Sequence, residues 1–321
     1  MKPYPLKFKP EMKERVWGGR ALEQFGFVLP EGHIGEAWTI GDHQNGTTTI
    51  INGELAGMGL DQIREQHGEA FFGSKGYTGN NSRFPLLIKL LDCQDDLSVQ
   101  VHPNDHYDRL PAGELGKTEM WYIMDAKPDA KIIYGLRDGI GRQELSAAID
   151  SGKIMDKLQE VSVQAGDSFY IPAGTVHALC SGVLVAEIQQ NSDTTYRLYD
   201  YNRPGLDGKP RDLHVEDSLN VIAYEGAGAS RMNTNDAKAN EWLELAHSPY
   251  FVTEKGVVQD LWNLETSPET FTILVVCDGQ GTLKWSDGEL ALTPGDCCLL
   301  PAVLGEYSLT GQLTVLRSYL P

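Results

Sequence analysis

The sequence predicts a mainly β protein made of two similar barrel-like domains with a few helices. Three observations carry that expectation. Short segments with strand chemistry follow one another at close spacing, 34 glycines and 16 prolines punctuate them, and one turn-and-strand segment occurs twice. In the first half, LSVQV (97–101), EMWYIM (119–124), KIIYG (131–135), SFYIP (168–172) and VLVAEIQQ (183–190) are β-branched, aromatic or alternating. FTILVVC (271–277), GTLKW (281–285), CCLLP (297–301) and LTVLRSYL (313–320) continue the pattern in the second half. Helical periodicity is sparse. It is found at LDQIREQHG (60–68), across RQELSAAIDSG and KIMDKLQE (142–160), and around VEDSLNVIAYE (215–225), with Asp217 early in the last and Gly226 placed to stop it.

The repeat is AGDSFYIPAGTVHAL (165–179) against PGDCCLLPAVLGEYS (294–308), in which Gly166, Asp167, Pro172 and Ala173 match Gly295, Asp296, Pro301 and Ala302. Gly-Asp is turn chemistry ahead of a strand, and proline suits the point where a strand reaches an edge. Each copy also ends a strand-rich segment of similar size, as duplicated domains require. The copies differ where chemistry is concerned, because His177 falls opposite Glu306. The stretch 226–248 is small, polar and poor in strand formers, and reads as the boundary. This divides the chain into a catalytic domain, 1–230, and a degenerate second domain, 231–321.

Composition excludes several classes. With 321 residues, 41% of them hydrophobic and 22% charged, the chain has enough apolar material for a real core. Asp and Glu outnumber Lys and Arg by 45 to 27, a net charge of −18 that repels a polyphosphate partner across any broad face, so no nucleic acid is expected. The longest apolar runs, near 84–91 and 271–277, have strand length and do not span a membrane. MKPYPLKFKP lacks the apolar region of a secretory signal. Cys93, Cys180, Cys277, Cys297 and Cys298 are odd in number, contain no CxxC pair, and read as reduced core thiols of a cytoplasmic protein.

Alternation points to a polar cluster. In LSVQVHPND, Ser98, Gln100 and His102 share one strand face and Val99 and Val101 the other; in GKTEMWYIM, Lys117, Glu119 and Trp121 share a face. In PAGTVHALC, His177 follows a turn and enters a strand. Any one of these histidines alone would be an ordinary core residue. Together, Gln100, His102, Glu119 and His177 offer nitrogen and oxygen donors from three strands to a divalent ion such as zinc, with the imidazoles neutral and the carboxylate ionised. Downstream, VLVAEIQQNSDTTYRLYDYNR (183–203) carries Glu187, Arg197 and Arg203. Within an acidic protein, Lys117, Arg197 and Arg203 are candidates to receive an anionic substrate, although an exposed charged loop would look the same.

KERVWGGRAL (13–22), IGEAWTIGDH (34–43), FPLLIKLLDCQDDLSVQVHPND (84–105), GKTEMWYIM (116–124) and IPAGTVHALCSG with SDTTYRLYDYNR (171–203) resemble the type I phosphomannose isomerases, zinc-dependent enzymes of the cupin fold, in their short bacterial form. QVHP, then KTEMWY, then PAGTVHA is the specific part of that resemblance. It implies two cupin-like (jelly-roll) β-barrel domains, the second without metal ligands. It also implies one Zn2+ per chain on Gln100, His102, Glu119 and His177, Arg197 as the active-site arginine, and Ser98 and Lys117 along the substrate pocket. Long-form relatives have lysine where this chain has Arg203, a residue then expected to contact substrate phosphate. They also carry a large helical insertion between the glutamate and the second histidine, which this chain lacks.

The implied reaction interconverts mannose 6-phosphate and fructose 6-phosphate by moving a proton between C2 and C1 through an enediolate. Glu187, Lys117 or a metal-bound water can move that proton, and the sequence does not choose among them. Arg197 is expected to stabilise charge or assist ring opening. Two rivals differ in class. An Fe(II) cupin oxygenase needs open iron positions that a fourth ligand, Gln100, reduces. A non-catalytic sugar-binding cupin has no use for Lys117, Glu119 and Arg197 beside the metal set.

Overall fold

The computed structural model describes residues 2–79, 83–226 and 228–321. The chain is mainly β, as the sequence predicts, and its strands form three main sheets. A seven-stranded sheet runs Ser230–Asn233, Asp167–Ile171, Glu119–Ala126, Val183–Gln190, Leu86–Cys93, Ile34–Ile40 and Glu11–Gly19. A five-stranded sheet runs Leu158–Ser162, Lys131–Leu136, His177–Leu179, Val99–Val101 and Tyr196–Tyr199. The two face each other as a cupin-like sandwich whose sheets stay open at their edges rather than closing into a barrel.

Alternation on the central strands explains the layering. Trp121, Ile123, Val183, Val185 and Leu91 face the small sheet and pack with Ile132, Phe169 and Leu179. Their alternates Met120, Tyr122, Leu184, Ala186, Ile188 and Leu90 face the other way, against Leu6, Ile273, Val275 and Leu299 of the third sheet. That third sheet is eight-stranded and dominated by three 14-residue strands, Val252–Glu265, Thr272–Trp285 and Glu306–Tyr319. FTILVVC and GTLKW, read as two strands, are one.

The two repeat copies fold alike. Gly166 and Gly295 both take left-handed φ, at 92° and 87°, conformations that favour glycine. Asp167 accepts from the Gln164 amide at 3.0 Å and Asp296 from the Thr293 amide at 2.8 Å. The glycine amides dock on neighbouring strands through Ile123 O and Val276 O at 2.8 and 2.9 Å. His177 then opens a fully buried strand, whereas Glu306 is itself exposed at the head of a strand that is buried only at intervals.

Several local expectations change. The helix expected over 142–160 is Arg142–Asp150, followed by a single 3-10 turn at Ile154–Lys157; Gly152 turns left-handed between them, and Leu158–Ser162 is taken up as a strand against Lys131–Leu136. The helix over 215–225 stops at Val221, before Gly226, because Ile222 goes extended and the Ala223 amide bonds to Gly174 O at 3.0 Å. The helix from Leu60 runs on to Gly76, broken at Gly68 and Gly73. Within 226–248, Ser230–Asn233 and Trp242–His247 are strands, recruited by hydrogen-bonded neighbours rather than by their own propensity. The N-terminal strand Leu6–Lys9 pairs with Cys297–Leu300, so strand pairing links the two ends of the chain.

Candidate active site and metal centre

The site lies between the five- and seven-stranded sheets. On the small sheet His177 stands directly opposite Gln100, and Gln100 opposite Arg197. On the large sheet Glu187 stands opposite both Lys89 and Trp121, and Lys89 opposite Trp38. Residues directly opposite in antiparallel strands project to one side, so each set forms a row. The rows meet face to face, with the Trp121 and His177 rings edge-on at 5.4 Å.

His102, Glu119 and His177 each bring a donor atom within 4.8 Å of the others, and all three are buried. Their orientation is fixed from behind. His102 Nδ1 lies 2.8 Å from Thr194 O, and His177 Nδ1 lies 2.9 Å from Thr175 O. A carbonyl only accepts, so Nδ1 carries the proton and each Nε2 lone pair faces Glu119, at 3.5 and 3.4 Å. Burial lowers His177 to about 4, with the Thr175 carbonyl partly opposing it. Burial, then Lys117 and His177, hold His102 well below its ordinary value. Both are therefore neutral, the form that binds metal.

Burial pushes Glu119 up to about 7 against the pull of Lys117. Lys117 Nζ sits 2.7 Å from Glu119 Oε2, yet neither carboxylate oxygen accepts a well-aligned hydrogen bond. A fully buried carboxylate beside two imidazole lone pairs is a donor set that a divalent cation completes, so the residues present fit such an ion. Gln100 adjoins it, with Nε2 3.3 Å from His177 Nε2 and Oε1 accepting from Ser98 Oγ at 3.3 Å. Half a turn of the amide exchanges those two atoms.

A cavity of about 150 Å³ opens beside this cluster. Ser98, Gln100, Lys117, Glu187 and Arg197 line it, together with five charged residues that sequence reasoning missed: Arg15, Glu36, Lys89, Asp193 and Arg211. For Lys89 and Glu36 a signal existed. Each is a lone charge in an otherwise apolar strand, in FPLLIKLL and IGEAWTI. Arg15 lay within the KERVWGGRAL stretch with nothing to single it out, and Asp193 and Arg211 lie in two loops, before and after the strand Tyr196–Tyr199, that carry no periodicity.

The charges are interlocked. Lys89 Nζ lies 3.2 Å from Glu187 Oε1 and 3.8 Å from Glu36 Oε2, and Trp121 Nε1 donates to Glu187 Oε2 at 2.9 Å. Burial would raise Glu187, but Lys117 and Lys89 outweigh it and keep the carboxylate ionised. For Lys117, burial would lower the pKa, but Glu119 and Glu187 outweigh it and raise it, so the ammonium is retained. Arg197 lines the cavity, and its buried Nε has no hydrogen-bond partner among the described residues.

Arg203 is not brought into the cavity. Its Nε and Nη2 donate to Asp200 Oδ1 at 3.1 and 2.9 Å, and it stacks over Tyr201. Left-handed φ at Tyr201 and Asn202, 57° and 53°, turns the chain at this point. Arg211 shares Asp200, donating at 2.7 and 2.6 Å, and is the guanidinium from this loop that reaches the cavity.

Sheet architecture and donor set together define a metal-dependent enzyme of the cupin class. Family models match residues 6–133, as the phosphomannose isomerase type I catalytic domain, and residues 242–320, as the mannose-6-phosphate isomerase cupin domain. The chain is 42% identical to mannose-6-phosphate isomerase ManA of Bacillus subtilis over 98% of its own length and 99% of that protein's. Its identity to a mannose-6-phosphate isomerase of Streptococcus mutans is 37%, covering 98% of each chain. Among solved structures, the mannose 6-phosphate isomerase from Bacillus subtilis superposes with a TM-score of 0.86 at 37% identity, covering 98% of this chain and 99% of that one. This chain therefore belongs to the type I phosphomannose isomerase family.

Proposed function

We propose that this chain interconverts mannose 6-phosphate and fructose 6-phosphate in the cytoplasm, with one zinc ion held by Gln100, His102, Glu119 and His177. The observation that carries the reading is a neutral His102–His177 pair and a buried Glu119, opening onto a cavity rich in cations. A divalent ion there stabilises the oxygens on which enediolate charge develops. The remaining work falls to the chain. Glu187, held ionised by Lys117 and Lys89, is the group able to take the C2 proton and return it at C1. Lys117 stays protonated and stabilises the adjacent oxyanion. Arg197, in the cavity wall, offers its guanidinium to the same region, while Arg15 and Arg211 offer theirs to the phosphate in place of Arg203. Ser98 orients Gln100.

Five free, buried cysteines support a reducing compartment, and among the described residues no helix is long and apolar enough to cross a membrane. We further assign residues 1–230 as the catalytic domain and 231–321 as a supporting one, joined through the Leu6–Lys9 pairing, so that deleting 231–321 yields insoluble protein.

Metal analysis and a coupled isomerase assay on one purified sample test the reading. About one zinc per chain, with turnover abolished by chelation and restored by zinc, is expected. Full turnover from metal-free protein would overturn it, and ferrous-dependent oxygen uptake would favour the oxygenase alternative.

A further inference from the structure

Lys117 and Glu119 are delivered to the site by an irregular segment, 115–118, that precedes the strand Glu119–Ala126. Outside a strand, each of its amides needs an individual partner. The Gly116 amide donates to Asp105 Oδ1 at 2.8 Å, the Lys117 amide to Pro103 O at 2.9 Å, and the Thr118 amide to Gln190 Oε1 at 2.8 Å. The two side-chain acceptors are themselves joined, since Gln190 Nε2 donates to both Asp105 oxygens, at 3.2 and 3.3 Å. Neither lines the cavity nor belongs to the donor set. Gln190 and Thr118 are buried.

We propose that Asp105 and Gln190 form a two-residue clamp that positions Lys117 and Glu119 for metal binding and catalysis. The clamp grips the backbone on both sides of Lys117, and Gln190 directly follows Gln189, the cross-strand partner of Glu119. Gln190 ends the strand that carries Glu187, and Asp105 lies three residues beyond His102, so one linkage sets the relative placement of all four side chains. They are positioning residues: they touch neither metal nor substrate. The inference rests on the isomerase reading for its kinetic consequence but not for its metal-binding one.

The chemistry of the pair supplies its own control. Gln190→Glu keeps the acceptor for the Thr118 amide, loses the donor, and sets a second carboxylate against Asp105. Adding Asp105→Asn restores the linkage with donor and acceptor exchanged: the asparagine oxygen still accepts from Gly116, and its amide donates one bond to the new carboxylate in place of the pair that Gln190 Nε2 makes. Outer-shell partners of this kind typically change metal affinity or activity about 10- to 100-fold.

The experiment compares wild type, Gln190→Glu, Asp105→Asn with Gln190→Glu, and the near-isosteric Gln190→Met. Three quantities are read: zinc affinity by chelator competition, amide exchange at Gly116 and Thr118 in metal-free protein, and kcat against KM. The Glu and Met single variants should lose zinc affinity and kcat about 10- to 100-fold, with faster exchange at Thr118 and little change in KM. The double variant should recover to within a few-fold of wild type. Wild-type zinc affinity in the folded single variants would overturn the proposal, as would a double variant no better than Gln190→Glu. Should Gln190→Glu fail to fold, Gln190→Met and the double variant still decide the matter. Wild type that binds zinc without isomerising would sink the functional reading and leave the clamp to be judged on affinity and exchange.

Discussion

Lys117 Nζ lies 2.7 Å from Glu119 Oε2 and is held there although both residues are buried. Lys117 lies in the segment that leads into the strand and Glu119 opens that strand; they are a cation and the anion proposed to bind metal, and Lys117 Nζ also stands 3.2 Å from His102 Nε2. The ammonium therefore lies against the same lone pairs that a divalent ion would use. Removing it separates metal binding from catalysis. Lys117→Met should retain zinc at wild-type stoichiometry or better, because a competitor for Glu119 is gone, while kcat falls by at least about 10²-fold, the loss typical of one electrostatic stabiliser. Atomic absorption and steady-state kinetics on the same preparation check this, and parallel loss of zinc would place Lys117 in a structural role.

The donor set predicts graded effects. His177→Ala removes an imidazole fixed by Thr175 O, so zinc occupancy and activity should fall together. Gln100→Ala should be milder, because a neutral amide oxygen is the weaker donor. Metal content after dialysis against a chelator ranks the two, and a His177→Ala protein with full zinc and turnover would remove the proposed centre.

Arg197 lines the cavity and carries a buried Nε with no partner among the described residues. If that donor meets charge that develops in the transition state, Arg197→Ala should lower kcat about 10²–10³-fold with a small change in KM. A purely phosphate-holding role would raise KM instead, with Arg197→Lys partly restoring it. Zinc content should be normal in both variants.

Acid sensitivity follows from Glu36. Burial would raise its pKa, but Lys89 and Arg15, with the Trp38 indole N–H, hold it down at about 2. A depressed carboxylate contributes stability above its unfolded value, and that contribution is lost as pH falls from about 4.5 toward about 2. Denaturant unfolding of wild type and Glu36→Gln should show a gap that narrows between pH 5 and 3. A gap that holds constant across that range would show that Glu36 titrates alike in the native and unfolded states, and that its ion pairs do not depress it.

What the sequence determined by itself was what local chemistry encodes. Period-two alternation grouped Ser98, Gln100 and His102, and Lys117 with Glu119; these residues do line the cavity or the donor set, although only Val99–Val101 and the stretch from Glu119 are regular strand. The Gly-Asp turns at 166 and 295 were legible because only a few residues suit a left-handed turn before a strand. Tertiary structure decided the rest. Lys89, Glu36, Arg15 and Asp193 enter the cavity through pairings between strands and loops distant in sequence. Arg211, not Arg203, lines the cavity, although both guanidinium groups bind Asp200 across the turn at Tyr201 and Asn202. Strands such as Ser230–Asn233 exist because an edge with unpaired amides was available to them, a fact held by the partner strand and not by their own residues.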